Sequence, residues 1–163
     1  MSSTLALILG LAAGLVTMAF LTAAMLRKKM IVAHQSSKSF DATCAAIDRV
    51  VPQEQGWGFP IPTWDMMATF EQKGQIPTSV QRIKIFFVCN ASLAKNVLSA
   101  DPVMAGMMPC SWAVYERTDG SVWISKMNIP LMSKLFSGTI GQTMGKVGAA
   151  DKLFLDKVLS PSV

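Results

Sequence analysis

The sequence predicts an α+β fold, a mainly antiparallel sheet with helices segregated from it, preceded by one N-terminal transmembrane helix. Three observations lead there. Residues Leu5 to Leu26 form an uncharged run, about 33 Å long at 1.5 Å rise per residue, enough to cross a hydrocarbon core of about 30 Å. Asp119-Gly120 marks a hairpin turn between two strand-like stretches within Met107 to Asn128, because Asp and Gly tolerate the positive φ that such turns need. The remaining segments run strand, helix, extended segment, short helix, strand, helix, two hairpin strands and helix, without the βαβ alternation of a parallel sheet.

The apolar run has no basic residue before it and is followed at once by Arg27-Lys28-Lys29. A cleaved signal peptide is the rival reading, but the run is long for such a segment and carries only a weak small-residue site at Ala23-Ala24. Basic residues stay on the cytoplasmic side, so the expected location is a bacterial-type cytoplasmic membrane, single-pass, N-terminus out and domain in the cytoplasm. Ala6, Gly10 and Gly14 are spaced by four and share one helix face, a pattern that lets membrane helices pack closely. The organisation is residues 1–29 as anchor and basic flank, 30–159 as the α+β domain and 160–163 as a tail. Of the formal net charge of +5, three units sit in the basic flank; the +2 that remains excludes an electrostatic case for nucleic acid.

Met30 to Gln35 reads as a strand. Ser39 is an N-cap for a helix in which Phe40, Cys44, Ile47 and Val51 recur at helical spacing, and Pro52 with Gly56 ends it. Trp57 to Trp64 contains Gly58, Pro60 and Pro62, which suits an edge strand or extended loop. Asp65 caps a short helix through Phe70 that stops at Gly74. Arg82 to Cys89 is rich in β-branched and aromatic residues and reads as a strand. Asn90 caps a helix from Ala91 to Ala100, with Leu93, Val97 and Leu98 inward, closed by Asp101-Pro102. Leu131 to Leu159 is largely helical, yet Gly138, Gly141, Gly145 and Gly148 interrupt it at about 1 kcal/mol each. Either a backbone approaches there, or the helix breaks between Ser137 and Gly148, the reading slightly favoured.

With Asp119 and Gly120 as a two-residue loop, Arg117 faces Val122, Tyr115 faces Ile124 and Ala113 faces Lys126 on one side of the ribbon. The other side pairs Glu116 with Trp123, Val114 with Ser125 and Trp112 with Met127. Both sides are then partly apolar, whereas a sheet covered on one face alternates cleanly. Trp112, Val114, Trp123 and Met127 are therefore the expected surface for a protein partner or small ligand.

Together, Ser39-Phe40-Asp41-Ala42-Thr43, Cys89-Asn90, Asp101-Pro102, Met108-Pro109-Cys110, Val114-Tyr115-Glu116 and Asp119-Gly120 resemble the bacterial and archaeal family numbered 302 among domains of unknown function. The resemblance covers Met30 to Leu159. It implies an α+β fold of the TATA-binding-protein-like type and is compatible with dimers. It implies no established activity, and the fold label does not imply DNA binding.

Three cysteines, Cys44, Cys89 and Cys110, cannot all pair within one chain, which suits a reducing compartment. Cys89 ends one strand and Cys110 begins another, so both are expected at one edge of the sheet. With Met104, Met107, Met108 and Met127 they make a soft-sulfur set suited to Cu(I); the plainer reading is buried thiols and core methionines. Cys44 lies on the inward helix face. The lone His34 has no second ligand in its pattern, and Asp41, Asp48 and Glu54 read as a solvated face. There is no phosphate-binding loop, no Ser-His-Asp order and no zinc signature, so the chain carries no catalytic motif. The leading functional reading is a membrane-anchored accessory or binding module, partnered by the bilayer and by a copy of itself or a larger membrane complex. The alternative is a redox or copper-handling protein using Cys89 and Cys110; an unrecognised enzyme is third.

Overall fold

A computed structural model describes the backbone of residues 3–161 and the side chains of residues 10–24 and 29–161. Helix α1 (Ser3–Lys29) leads into strand β1 (Ile31–Ser36), helix α2 (Phe40–Val50), short strands β2 (Trp57–Gly58) and β3 (Trp64–Asp65), and helix α3 (Met66–Lys73). Strand β4 (Val80–Asn90), helix α4 (Ala91–Ala100), strands β5 (Cys110–Arg117) and β6 (Val122–Met127), and helices α5 (Ile129–Met132) and α6 (Gly138–Leu159) complete it. The sheet order is β1-β6-β5-β4-β2 with β3 also on β4, and every pairing is antiparallel. The α+β layout expected from the sequence is the observed one.

Local chemistry sets the helix starts. Ser39, Asp65 and Asn90 each accept a hydrogen bond through the side chain from the backbone N–H three residues on, at Ala42, Ala68 and Leu93, which satisfies a donor that the first helical turn leaves free. Gly74 ends α3 in the left-handed conformation at φ 65°. The Lys38 ammonium donates to the Val158 and Ser160 carbonyls at 2.6 and 2.5 Å, placing a cation at the C-terminus of α6, where the dipole favours it.

One face of the sheet packs on α2 and α6. Phe40, Ile47, Phe86, Trp112, Ile124 and Phe154 are its largest fully buried side chains. Ser36 and Thr43 hydroxyls meet at 2.8 Å inside it, tying β1 to α2.

The hairpin corrects the expected register. Arg117 N–H donates to Ser121 O, Gly120 N–H donates to Arg117 O, and Gly120 has φ 79°. The loop is therefore three residues, Thr118 to Gly120, closing in a glycine bulge. Trp112 then faces Lys126, Val114 faces Ile124 and Glu116 faces Val122, so the pairing slips by one residue. Along both strands burial alternates: Trp112, Val114, Val122 and Ile124 are buried, while Ala113, Tyr115, Trp123 and Ser125 are half-buried. The mixed apolar faces were a product of the wrong loop length.

The predicted helix Leu131 to Leu159 is interrupted at Phe136 and Ser137, at the near edge of the favoured region, with Gly138 at φ 60°; from Gly138 to Leu159 α6 runs without a further break. Tight packing is the reason, at two of the four glycines. A Cβ on Gly141 would sit 2.3 Å from the Phe136 carbonyl oxygen, and one on Gly148 would sit 3.2 Å from Pro130 N, whereas one on Gly145 would meet nothing within 4 Å.

Helix α1 touches the domain through β1. Among the described residues no helix is long and apolar enough to cross a membrane. Within the expected span Leu5 to Leu26 the side chains of residues 5–9 and 25–26, Ala6 among them, lie outside the described ones, as do those of Arg27 and Lys28. Gly10 and Gly14 have open space around them.

Gly141→Ala is expected to destabilise the fold by about 1–3 kcal/mol through overpacking. Gly145→Ala is expected to stabilise it by about 1 kcal/mol through helix propensity. Urea unfolding of the two variants checks the pair; equal effects would mean that α6 is not held by close backbone approach.

Candidate functional site

The sheet's most unusual feature is a charged pair inside its core. Lys126 on β6 and Asp151 on α6 form an ion pair with both side chains almost inaccessible to water, and the Trp112 indole donates to Asp151 at 2.9 Å. The Lys126 ammonium also stands 5.3 Å from the Trp112 ring centroid. Burial pushes the Asp151 carboxyl up, while Lys126 and Trp112 pull it back towards the ionised form. His34, half-buried on β1, is held below its ordinary value first by burial and then by Lys126. Sequence reasoning missed this network. Its signal was a lysine on the inward side of β6 and an aspartate on the α6 stripe that continues from Met144 and Gly148 to Leu155 and Val158.

Next to this pair, a cleft opens at one end of the sheet. It lies where β4 ends at Val88, Cys89 and Asn90 and β5 begins at Pro109 and Cys110. Its walls come from α4 (Leu93, Ala94, Val97), the 3-10 segment Pro102–Met107, the end of β6 at Met127, and Met144 and Val147 of α6. The cavity volume is about 40 Å³; a water needs roughly 10–15 Å³ on that measure, so the space suits a small ligand. No charged side chain lines it. Asn90, its one side-chain amide, is already engaged, accepting from Leu93 N–H and donating to Gln55 O.

The cleft gathers Cys89, Cys110, Met104, Met107, Met108 and Met127, and adds Met144. Its sulfur is concentrated: seven of sixteen lining residues carry it, against fifteen cysteines and methionines in all 163 residues. The two cysteines share one end of the sheet but are out of step. Cys110 stands opposite Val88, one position before Cys89, so strand alternation turns the two thiols towards opposite faces. Both are free. Burial pushes the Cys110 thiol up to about 11, with Asp151 and Cys89 adding and Lys126 opposing, and burial also raises Cys89. Both are neutral thiols at pH 7 and poor nucleophiles. Burial raises the Cys44 thiol to about 11 as well.

The four residues expected to form one partner surface are dispersed. Trp112 and Val114 are core residues, 1% and 0% exposed. Trp123 lies on the opposite face, with the Arg117 guanidinium 4.8 Å from its ring centroid and its indole donating to Ser121 Oγ. Met127 borders the cleft. Asp41 pairs with Arg82, and Glu54 pairs with Lys157 at 2.8 Å, so neither belongs to a carboxylate site. Among the described residues no three of His, Cys, Asp and Glu are grouped to hold a metal.

The cleft and α1 share one end of the sheet. Met127 faces Ile31, Asn128 N–H donates to Met30 O at 2.8 Å, and the Asn128 amide donates to Lys29 O at 3.0 Å.

A model of the family described as domain of unknown function DUF302 matches residues 32–152. The chain belongs to the DUF302 family. The match begins within β1, so α1 precedes the DUF302 domain. An uncharacterized protein from Aquifex aeolicus (strain VF5) is 36% identical over 55 residues, 34% of this chain and 38% of that protein. The chain thus matches less than two thirds of that relative's length. The crystal structure of the uncharacterized conserved protein DUF302 from Bacillus stearothermophilus is similar at TM-score 0.67 and 18% identity, over 79% of this chain and 98% of that one. That likeness shows the fold alone.

Lys126→Met is expected to destabilise the DUF302 domain by about 3–5 kcal/mol, because it leaves the Asp151 carboxylate buried without its cation. Adding Asp151→Leu is expected to restore part of the loss. Urea unfolding in a double-mutant cycle checks the coupling; purely additive losses would mean that the two charges do not support one another.

Proposed function

We propose that the chain is a membrane-anchored binding module whose ligand site is the cleft at the end of the sheet. The observation that carries this reading is the cleft's lining: apolar and sulfur-bearing side chains, no charge, and one side-chain amide, Asn90, that is already engaged. Such a surface binds an apolar or soft ligand and offers no general acid, base or activated nucleophile.

Support for the anchor comes from the sequence and from α1 itself. The run Leu5 to Leu26 is uncharged. Leu11, Leu15, Val16, Met18, Phe20 and Leu21 are each 59–74% exposed, on all sides of the helix. A helix apolar all round is stable where hydrocarbon covers it. With Arg27-Lys28-Lys29 on the inner side, the domain sits in the cytoplasm, and the turn at Met30 sets the cleft's end of the sheet towards the bilayer.

Two measurements test the reading. The full chain in lipid nanodiscs, labelled with ¹³C at its methionine methyls, is titrated with 1-hexanol as a small apolar probe. Saturable shifts of Met104, Met107 and Met144, absent from Met67 and lost in Ala94→Phe, are expected; no saturable shift would overturn the cleft as a site. Separately, a reporter fused after Val163 should be active in the cytoplasm, and activity of an exported reporter there would reverse the orientation.

A further inference from the structure

The geometry points to a soft monovalent metal ion, Cu(I), as the ligand of the cleft, held by the Cys110 sulfur together with methionine thioethers from its walls. This deepens the proposed reading and rests on the cleft being a binding site.

The donor chemistry selects the ion. Met104 and Met107 come from the 3-10 segment, Met108 from the approach to β5, Met127 from β6 and Met144 from α6, so sulfur-bearing residues from segments distant in sequence line one space. If methionines were there only to fill gaps, leucine, isoleucine and valine would serve as well, and the sulfur share of the lining would follow that of the whole chain. It is several times higher. Carboxylates and imidazoles, the donors of hard and borderline divalent ions, are missing from the lining, whereas thiolates and thioethers suit Cu(I).

Charge agrees with chemistry. The cost of moving an ion out of water grows with the square of its charge, so a monovalent ion pays about a quarter of what a divalent one does in an apolar cleft. As the Cu–S bond forms, the Cys110 S–H bond breaks and its proton passes to water. The thioethers donate lone pairs without any proton change, and copper stays in the +1 state throughout. One thiolate and one Cu(I) leave the cleft neutral.

Proton release gives the proposal a signature. Because burial holds the thiol protonated throughout the neutral range, each unit of pH should tighten binding about tenfold. The charged and titratable groups close enough to act on Cys110 are Cys89 from β4, Lys126 from β6 and Asp151 from α6. Lys126 and Asp151 are engaged with one another, and Cys89 is itself held protonated.

The untagged full chain in nanodiscs, kept anaerobic, is titrated with Cu(I) against the chromophoric chelator bicinchoninate between pH 6 and 8. One Cu(I) per chain is expected, tightening about tenfold per pH unit, with the same methionine methyls shifting when Ag(I) is used as a redox-inert substitute. Cys110→Ala should weaken binding and remove the pH slope. Met107→Leu, which keeps apolar volume at a half-buried position, should weaken it by at least about tenfold, the usual cost of losing even an outer-shell partner of a metal site, with its unfolding midpoint unchanged. If the chain takes no Cu(I) from bicinchoninate while hexanol still moves the methyls, the metal assignment falls and the cleft stands. If neither probe binds, both fall. Binding that survives both Cys110→Ala and Met107→Leu at full strength would place copper elsewhere and overturn the proposal.

Discussion

Lys126 enters the layer between the sheet and α6 from a strand position that alternation reserves for the core, and Asp151 of α6 meets it there. Removing two charges from water costs several kcal/mol per ion, which their attraction offsets only when the remaining hydrogen-bond capacity is used. Here Trp112 supplies the further donor, and among the described residues no buried side-chain polar atom lacks a partner. An apolar layer tolerates sliding and rotation, since one methyl contact replaces another. A charged pair does not, because a helix turned by one residue would leave both ions alone. The pair thus fixes the rotation of α6 over β5 and β6. Met144 and Val147 then necessarily face the cleft, and Gly148 faces Pro130. The shape of the cleft is downstream of one electrostatic contact.

Much of the fold was legible where chemistry is local. Ser39, Asp65 and Asn90 cap helices because a short side-chain acceptor reaches an N–H three residues on, a test that needs no tertiary information. Gly74 and the prolines of the Trp57 to Trp64 stretch act on their own backbone, and that stretch became two short strands on the flank of β4. The hairpin shows where locality fails. Asp-Gly announces a turn but not its length, and the difference between a two- and a three-residue loop is one position of register. Because side chains alternate, that position moved Trp112 and Val114 from the core to an imagined surface.

Non-local features were illegible for a different reason. Whether a glycine in a helix marks a break or a close approach depends on what stands opposite it. For Gly141 and Gly148 that is backbone from Phe136 and Pro130, which nothing in the helix pattern reveals. The cleft has the same character. Cys89, Cys110 and the methionines from Met104 to Met127 are near one another in sequence or across the sheet, and their association was foreseeable. Met144 joins them from α6, far along the chain, and nothing in the helix pattern marks it as a cleft residue. The cysteines were placed at the right end of the sheet, yet their one-residue stagger depends on β4–β5 register, which the sequence does not print.

The same end of the sheet carries a second constraint, and it links cleft to chain entry. Asn128 closes β6, caps α5 through Leu131 N–H and donates to the carbonyls of Lys29 and Met30. One residue therefore joins the last turn of α1, the end of β6 and the start of the segment leading to α6. Met127, its neighbour, lines the cleft. Rotating α1 about its exit would pull on the Lys29 and Met30 carbonyls, and through Asn128 on the strand end that forms one cleft wall. A freely jointed linker between α1 and the domain would transmit nothing of that kind. With one residue between helix and strand and two hydrogen bonds across the junction, the orientation of α1 and the position of Met127 are set by the same contacts.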